Sequence, residues 1–111
     1  MLSLLLTLAQ PGGFTCTATG TKLLAPATPP EAVCARLKGA LTEAGTRFYR
    51  ASLQVELRFQ KPGIATARVT RTAAGRTTML PEISIATSDR AMGPSTIDLL
   101  AREIAGRLAT R

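Results

Sequence analysis

From Ala51 to Gln60 the chain alternates without a break: Leu53, Val55, Leu57 and Phe59 are apolar, while Gln54, Glu56, Arg58 and Gln60 are polar. Successive side chains of a strand point to opposite faces, so this segment is a strand with one buried and one wetted face. Lys61-Pro62-Gly63 then marks a tight turn, and Ile64 to Thr72 is expected to return antiparallel as its hairpin partner. In that return Ala65, Ala67 and Val69 share the inner face and Ile64, Thr66, Arg68 and Thr70 the outer one. A second turn at Ala73-Ala74-Gly75-Arg76 leads to a strand over Thr77 to Thr87, with Ile83 and Ile85 as its apolar pair. Pro81 removes a ladder donor there, which marks an edge strand or a bulge.

A sheet with one apolar face needs a cover, and two helical segments supply it. Thr28-Pro29-Pro30-Glu31 reads as a capped start, with Thr28 as cap, Pro29 in the first turn and Glu31 completing a capping box. The helix is expected from Pro29 to about Ala44, with Val33, Cys34, Leu37, Ala40, Leu41 and Ala44 as its apolar stripe and Gly45 at its end. Ser95-Thr96-Ile97-Asp98 reads as a second cap, opening a helix over Thr96 to Leu108 whose stripe is Ile97, Leu100, Ala101, Ile104, Ala105 and Leu108. Upstream, Phe14 to Thr19 alternates threonine with apolar or small residues and is taken as the first strand. The fold class is therefore α+β in β-α-β-β-β-α order, an antiparallel meander with two helices packed on one face. At 111 residues this is one domain.

The residues Met1 to Ala9 form a short apolar stretch ending in Thr7-Leu8-Ala9, the small-x-small pattern of a signal-peptidase site. Residues 1–9 are read as a signal peptide and 10–111 as the mature domain, placing the protein in the periplasm or outside the cell. The stretch is far too short for a membrane span, and Phe14-Thr15 before Cys16 does not make a lipobox. In the alternative, Leu2, Leu4, Leu6 and Leu8 alternate as a strand. Cys16 and Cys34 both fall at inward positions and lack C-x-x-C spacing, so a structural disulfide between them is expected; in a reducing compartment they would instead be buried thiols.

The chain contains no histidine. That removes Ser-His-Asp and Cys-His nucleophilic schemes, and two cysteines cannot complete a structural zinc site. Glu56 and Glu82 are the one carboxylate pair that strand positions bring near each other for acid/base work, although exposed glutamates on a sheet more often only solubilise it. Gly12-Gly13 and Gly93 lack the spacing and the lysine of a phosphate loop. A non-catalytic protein without metal or cofactor is expected.

Recognition then falls to the outer sheet face, which would present Gln54, Glu56, Arg58, Gln60, Thr66, Arg68 and Thr70, with Arg58 and Arg68 able to hold a carboxylate or phosphate. Tyr49, between Arg47 and Arg50, is the nearby aromatic. The chain has 14 Lys and Arg against 7 Asp and Glu, a net charge of +7. The charges are scattered, so they describe a basic surface before they describe a nucleic-acid site. From Ala32 onward the α-β-β-β-α order is similar to that of double-stranded-RNA-binding domains, but the last helix opens with Gly93-Pro94-Ser95-Thr96 where those domains carry lysines. The expected function is an exported module that binds a protein or anionic macromolecule of the cell envelope, through the open face or the edge near Pro81. The alternative is a basic nucleic-acid-binding domain of the cytosol.

Overall fold

The computed structural model describes residues 13–46, 51–88 and 91–109. In chain order they form β1 (Gly13–Thr19), a 3₁₀ turn (Thr21–Leu23), α1 (Pro30–Glu43), β2 (Ser52–Gln60), β3 (Ile64–Ala73), β4 (Arg76–Met79), β5 (Ile83–Ala86) and α2 (Pro94–Ala109). The proposed signal segment and Tyr49 with its neighbours Arg47, Phe48 and Arg50 lie outside the described residues. No described helix is long and apolar enough to cross a membrane.

The α+β class and the β-α-β-β-β-α order are as expected, and both helices cover one face of a five-stranded sheet. β2, β3 and the β4/β5 edge are antiparallel, whereas β1 pairs with β2 in parallel, so the sheet is mixed. The parallel pairing follows from the connection: a chain that leaves β1, crosses the face as a helix and returns beside it must run in the same direction. Alternation shows which face a residue occupies but not the direction of the neighbouring strand.

The inner face is apolar at each position that the alternation assigns to it. Leu53, Val55, Leu57 and Phe59 of β2 are buried with Ala65, Ala67 and Val69 of β3. Against them pack Val33, Leu37 and Leu41 of α1 and Ile97, Leu100, Ala101 and Ile104 of α2. The alanines of β3 let the helices approach closely, which compensates for the scarcity of aromatic residues. Leu24, Leu80 and Met92 close the rim. Met92 stands in a segment without periodicity and is placed by its backbone, whose carbonyl accepts a hydrogen bond from Ala25 N–H at 2.8 Å.

Both helix starts differ from their sequence signatures. Pro29, not Thr28, occupies the cap position of α1, and the Thr28 hydroxyl donates to the Pro26 carbonyl at 2.8 Å. Pro30 in the first turn has no N–H to satisfy, so the missing side-chain cap costs little, and Glu31 still lies favourably at the positive end of the helix dipole. α2 starts two residues early, at Pro94, and Thr96 reaches back to accept the Gly93 N–H at 3.0 Å.

The strand expected over Thr77 to Thr87 is broken into β4 and β5. Thr70 lies opposite Met79 and Ala67 opposite Ile83, so Leu80, Pro81 and Glu82 face only Arg68 and Val69. The extra residue is a bulge at the edge, placed where Pro81 cannot donate to the ladder. Leu80 keeps the segment attached through its N–H to the Val69 carbonyl, at 2.9 Å.

The β3–β4 hairpin closes on Ala74 and Gly75, with φ of 53° and 76°. Both central positions are left-handed, the conformation for which Asn-Gly is the favoured pair, and an alanine there is strained. Ala74→Asn is expected to raise the unfolding free energy by about 0.5–1 kcal/mol, measured as a higher urea midpoint at unchanged m.

Candidate functional site

Register across the sheet assembles the outer face into rows. One runs Thr15, Gln54, Thr70, Met79; the next Thr17, Glu56, Arg68; the third Thr19, Arg58, Thr66, Ser84. Gln60 ends β2 beyond them. Both helices lie on the inner side, so every predicted site residue, Gln54, Glu56, Arg58, Gln60, Thr66, Arg68 and Thr70, is exposed or half-buried on one surface that no described helix covers.

The two arginines have different surroundings. Arg68 lies between two carboxylates, with Nη1 at 3.9 Å from Glu56 Oε1 and Nη2 at 3.6 Å from Glu82 Oε2. Glu56 is its cross-strand neighbour, and the Pro81 bulge places Glu82 on its other side. All three side chains are about half exposed, so these long contacts are worth little to stability. Their electrostatic effect is local: an arginine between two glutamates is a poor anion receptor. Arg58 sits between Thr19 and Thr66 and forms no ion pair among the described residues. The expected two-arginine clamp thus reduces to one available guanidinium beside a Glu-Arg-Glu cluster. Glu56 and Glu82 do come together, but across Arg68 rather than across a pocket.

The helical side carries a different arrangement. A furrow of about 530 Å³ between α1 and α2 is lined by Arg36, Gly39, Ala40, Glu43, Asp98 and Arg102. It is bridged by a two-pronged ion pair, Arg36 Nε to Asp98 Oδ1 at 3.0 Å and Nη2 to Oδ2 at 2.8 Å. Asp98 thus ties the two helices together instead of capping its own. Its hydrogen bonds, and then its charge, raise the Arg36 guanidinium above its already high ordinary value. Nothing in the sequence signals this pair, because its members are 62 positions apart.

The disulfide between Cys16 and Cys34 is formed, with a Cα–Cα distance of 5.7 Å. It joins β1 to α1 at the margin of the core, where both cysteines are half-buried. Among the described residues no three His, Cys, Asp or Glu side chains converge as metal ligands. No family model matches the chain, and no curated protein matches its sequence. Fold and face together define a class, a small disulfide-closed α+β module with one sheet face that no described helix covers.

Proposed function

We propose that the protein is an exported, non-catalytic binding module of the periplasm or extracellular space, which holds an anionic group of a macromolecular partner on its outer sheet face. The observation that carries this reading is the contrast between the arginines. Arg58 has Thr19 and Thr66 across from it and Glu56 and Gln60 as its same-face neighbours along β2, and it makes no ion pair among the described residues, while Arg68 lies between two carboxylates. A guanidinium with five donors and no ion pair of its own is suited to a carboxylate or phosphate. The disulfide supports an oxidising compartment. Glu56 and Glu82, exposed and shared by one arginine, support a structural role over acid/base work.

The nucleic-acid reading rests on the +7 charge, and the outer face does not favour it: its charged side chains are two arginines and two glutamates. The edge near Pro81 is also a poor docking strand, because the bulge interrupts its ladder.

The test is recovery of envelope components by immobilised wild type, Arg58→Glu and Arg68→Gln proteins. Arg58→Glu is expected to weaken capture about tenfold or more, the loss of one charge-assisted contact, while Arg68→Gln changes it by less than about threefold. Equal recovery by wild type and Arg58→Glu overturns the reading. Steeply salt-dependent retention on duplex RNA or DNA that survives Arg58→Glu would replace it with nucleic-acid binding.

A further inference from the structure

The β3–β4 hairpin carries charge of one sign. From Lys61 to Pro81 the chain contains Lys61, Arg68, Arg71 and Arg76 and no acid. Arg68 is matched by Glu56 and Glu82 from outside that span, as Arg36 is by Asp98. Arg71 and Arg76 have no such match, since neither forms an ion pair or a side-chain hydrogen bond among the described residues. Register brings the two together. Arg71 lies opposite Thr78 and Ala73 opposite Arg76, and residues opposite each other share a face. Arg71 continues the inward positions of Ala65, Ala67 and Val69, so Arg71, Thr78 and Arg76 form a triangle on the helix side of the sheet. The two arginines are diagonal cross-strand neighbours, roughly 7–8 Å apart at the backbone.

We infer that this triangle is a binding site for a phosphomonoester, whose phosphate sits between the two guanidinium groups and accepts a further hydrogen bond from the Thr78 hydroxyl. The site lies on the face opposite Arg58 and stands without the proposed function. Its ligand class follows from charge and shape. Like charges on neighbouring strands oppose the hairpin, and an anion between them turns that repulsion into attraction. A planar carboxylate is satisfied by the paired N–H groups of one arginine, whereas two arginines and a hydroxyl suit a tetrahedral group with three free oxygens. A phosphomonoester carries a charge of about −1.5 to −2 at pH 7, which matches the two guanidinium groups.

The hairpin holds these donors in place. Thr72 and Thr77 are hydrogen-bonded to each other on the other face at 3.1 Å, and the Leu80 N–H bonds the Val69 carbonyl at 2.9 Å, which fixes the register on both sides of the triangle. Arg71 is half-buried and opposite the buried Leu53, so its aliphatic stem lies along apolar surface and limits where its guanidinium can go. All four residues of β4 are exposed, which leaves Arg76 and Thr78 accessible. Ala73, across from Arg76, adds only a methyl group on this face, and the space between the arginines is left for a ligand. One restrained and one exposed arginine make a clamp that closes from one side.

Amide chemical shifts of isotope-labelled protein, titrated at constant ionic strength with methyl phosphate, dimethyl phosphate and acetate, test the site. Methyl phosphate is expected to shift the amides of Arg71 and of Arg76 to Thr78 saturably, and the other two anions to bind at least about tenfold more weakly. Arg71→Gln and Arg76→Gln are each expected to weaken methyl phosphate binding about tenfold, while Arg102→Gln, on α2, leaves it unchanged. Urea unfolding in chloride keeps folding separate from binding: Arg76→Gln removes a repulsion, so its midpoint is expected at or above that of wild type. Vesicles containing phosphatidic acid, whose headgroup is a monoester, distinguish the sources of the phosphate. Retention that Arg76→Gln abolishes assigns the site to a lipid headgroup, and methyl phosphate binding without retention assigns it to a soluble phosphomonoester. Equal affinity for the three anions, methyl phosphate shifts confined to Arg58 and its neighbours, or unaltered binding in either glutamine variant overturns the inference.

Discussion

Gly20→Ala is expected to destabilise the protein by roughly 2–4 kcal/mol, seen as a lower urea midpoint with the m-value unchanged. Gly20 has φ of 75°, and a Cβ built there would overlap the backbone carbonyl oxygen of Phe59. The first cost is the left-handed conformation, about 1–2 kcal/mol for a residue with a side chain. The second is steric and has no cheap relief, because Phe59 is buried in the central strand and its carbonyl cannot rotate away from the ladder. Gly39→Ala is the internal control. A Cβ at Gly39 meets nothing within 4 Å, in the middle of an ordinary helix, so that change is expected to stabilise by about 0.5–1 kcal/mol. Opposite signs for the same chemical change would show that the close approach at Phe59, not the loss of glycine, sets the cost. Equal effects would refute it.

Gly20 also sets the path of the chain out of β1. The left-handed residue turns the chain from the end of β1 over the end of β2, toward Leu24 in the core rim, and not back along β1.

How much of this was legible in the sequence differs from residue to residue. The inner face of β2 and β3 was, since a period of two leaves little choice about which side chains are buried, and so was the disulfide, because both cysteines fall on inward positions of elements with clear periods. The environment of Arg68 was not. It depends on the register set by the Lys61-Pro62-Gly63 turn, which puts Glu56 opposite Arg68, and on the extra residue at Pro81, which brings Glu82 up to the same guanidinium. A local pattern reports the face of a side chain, whereas a pair needs the alignment of two elements. The same limit applies to Arg36 and Asp98, where the acid sits within a convincing cap signature and is used elsewhere. Pro94 at the first helical position, with Thr96 two residues on, was the signal that could have moved the start of α2 and released Asp98 from the cap.

Removing the disulfide, by reduction or by Cys16→Ala/Cys34→Ala, is expected to cost about 3 kcal/mol. The two cysteines are separated by 18 positions, and opening that loop returns conformational freedom mainly to the unfolded chain. The loss should nevertheless be uneven in the folded state. β2 and β3 bury Leu57, Ala65 and Ala67 completely and are paired along their length, whereas β1 has one strand neighbour among the described residues and holds α1 through Cys34. Amides of β1 are therefore expected to lose exchange protection before those of β2 and β3, at denaturant concentrations where the tryptic stability of the meander is unchanged. Uniform loss across all strands would show that the bridge acts only on the unfolded chain.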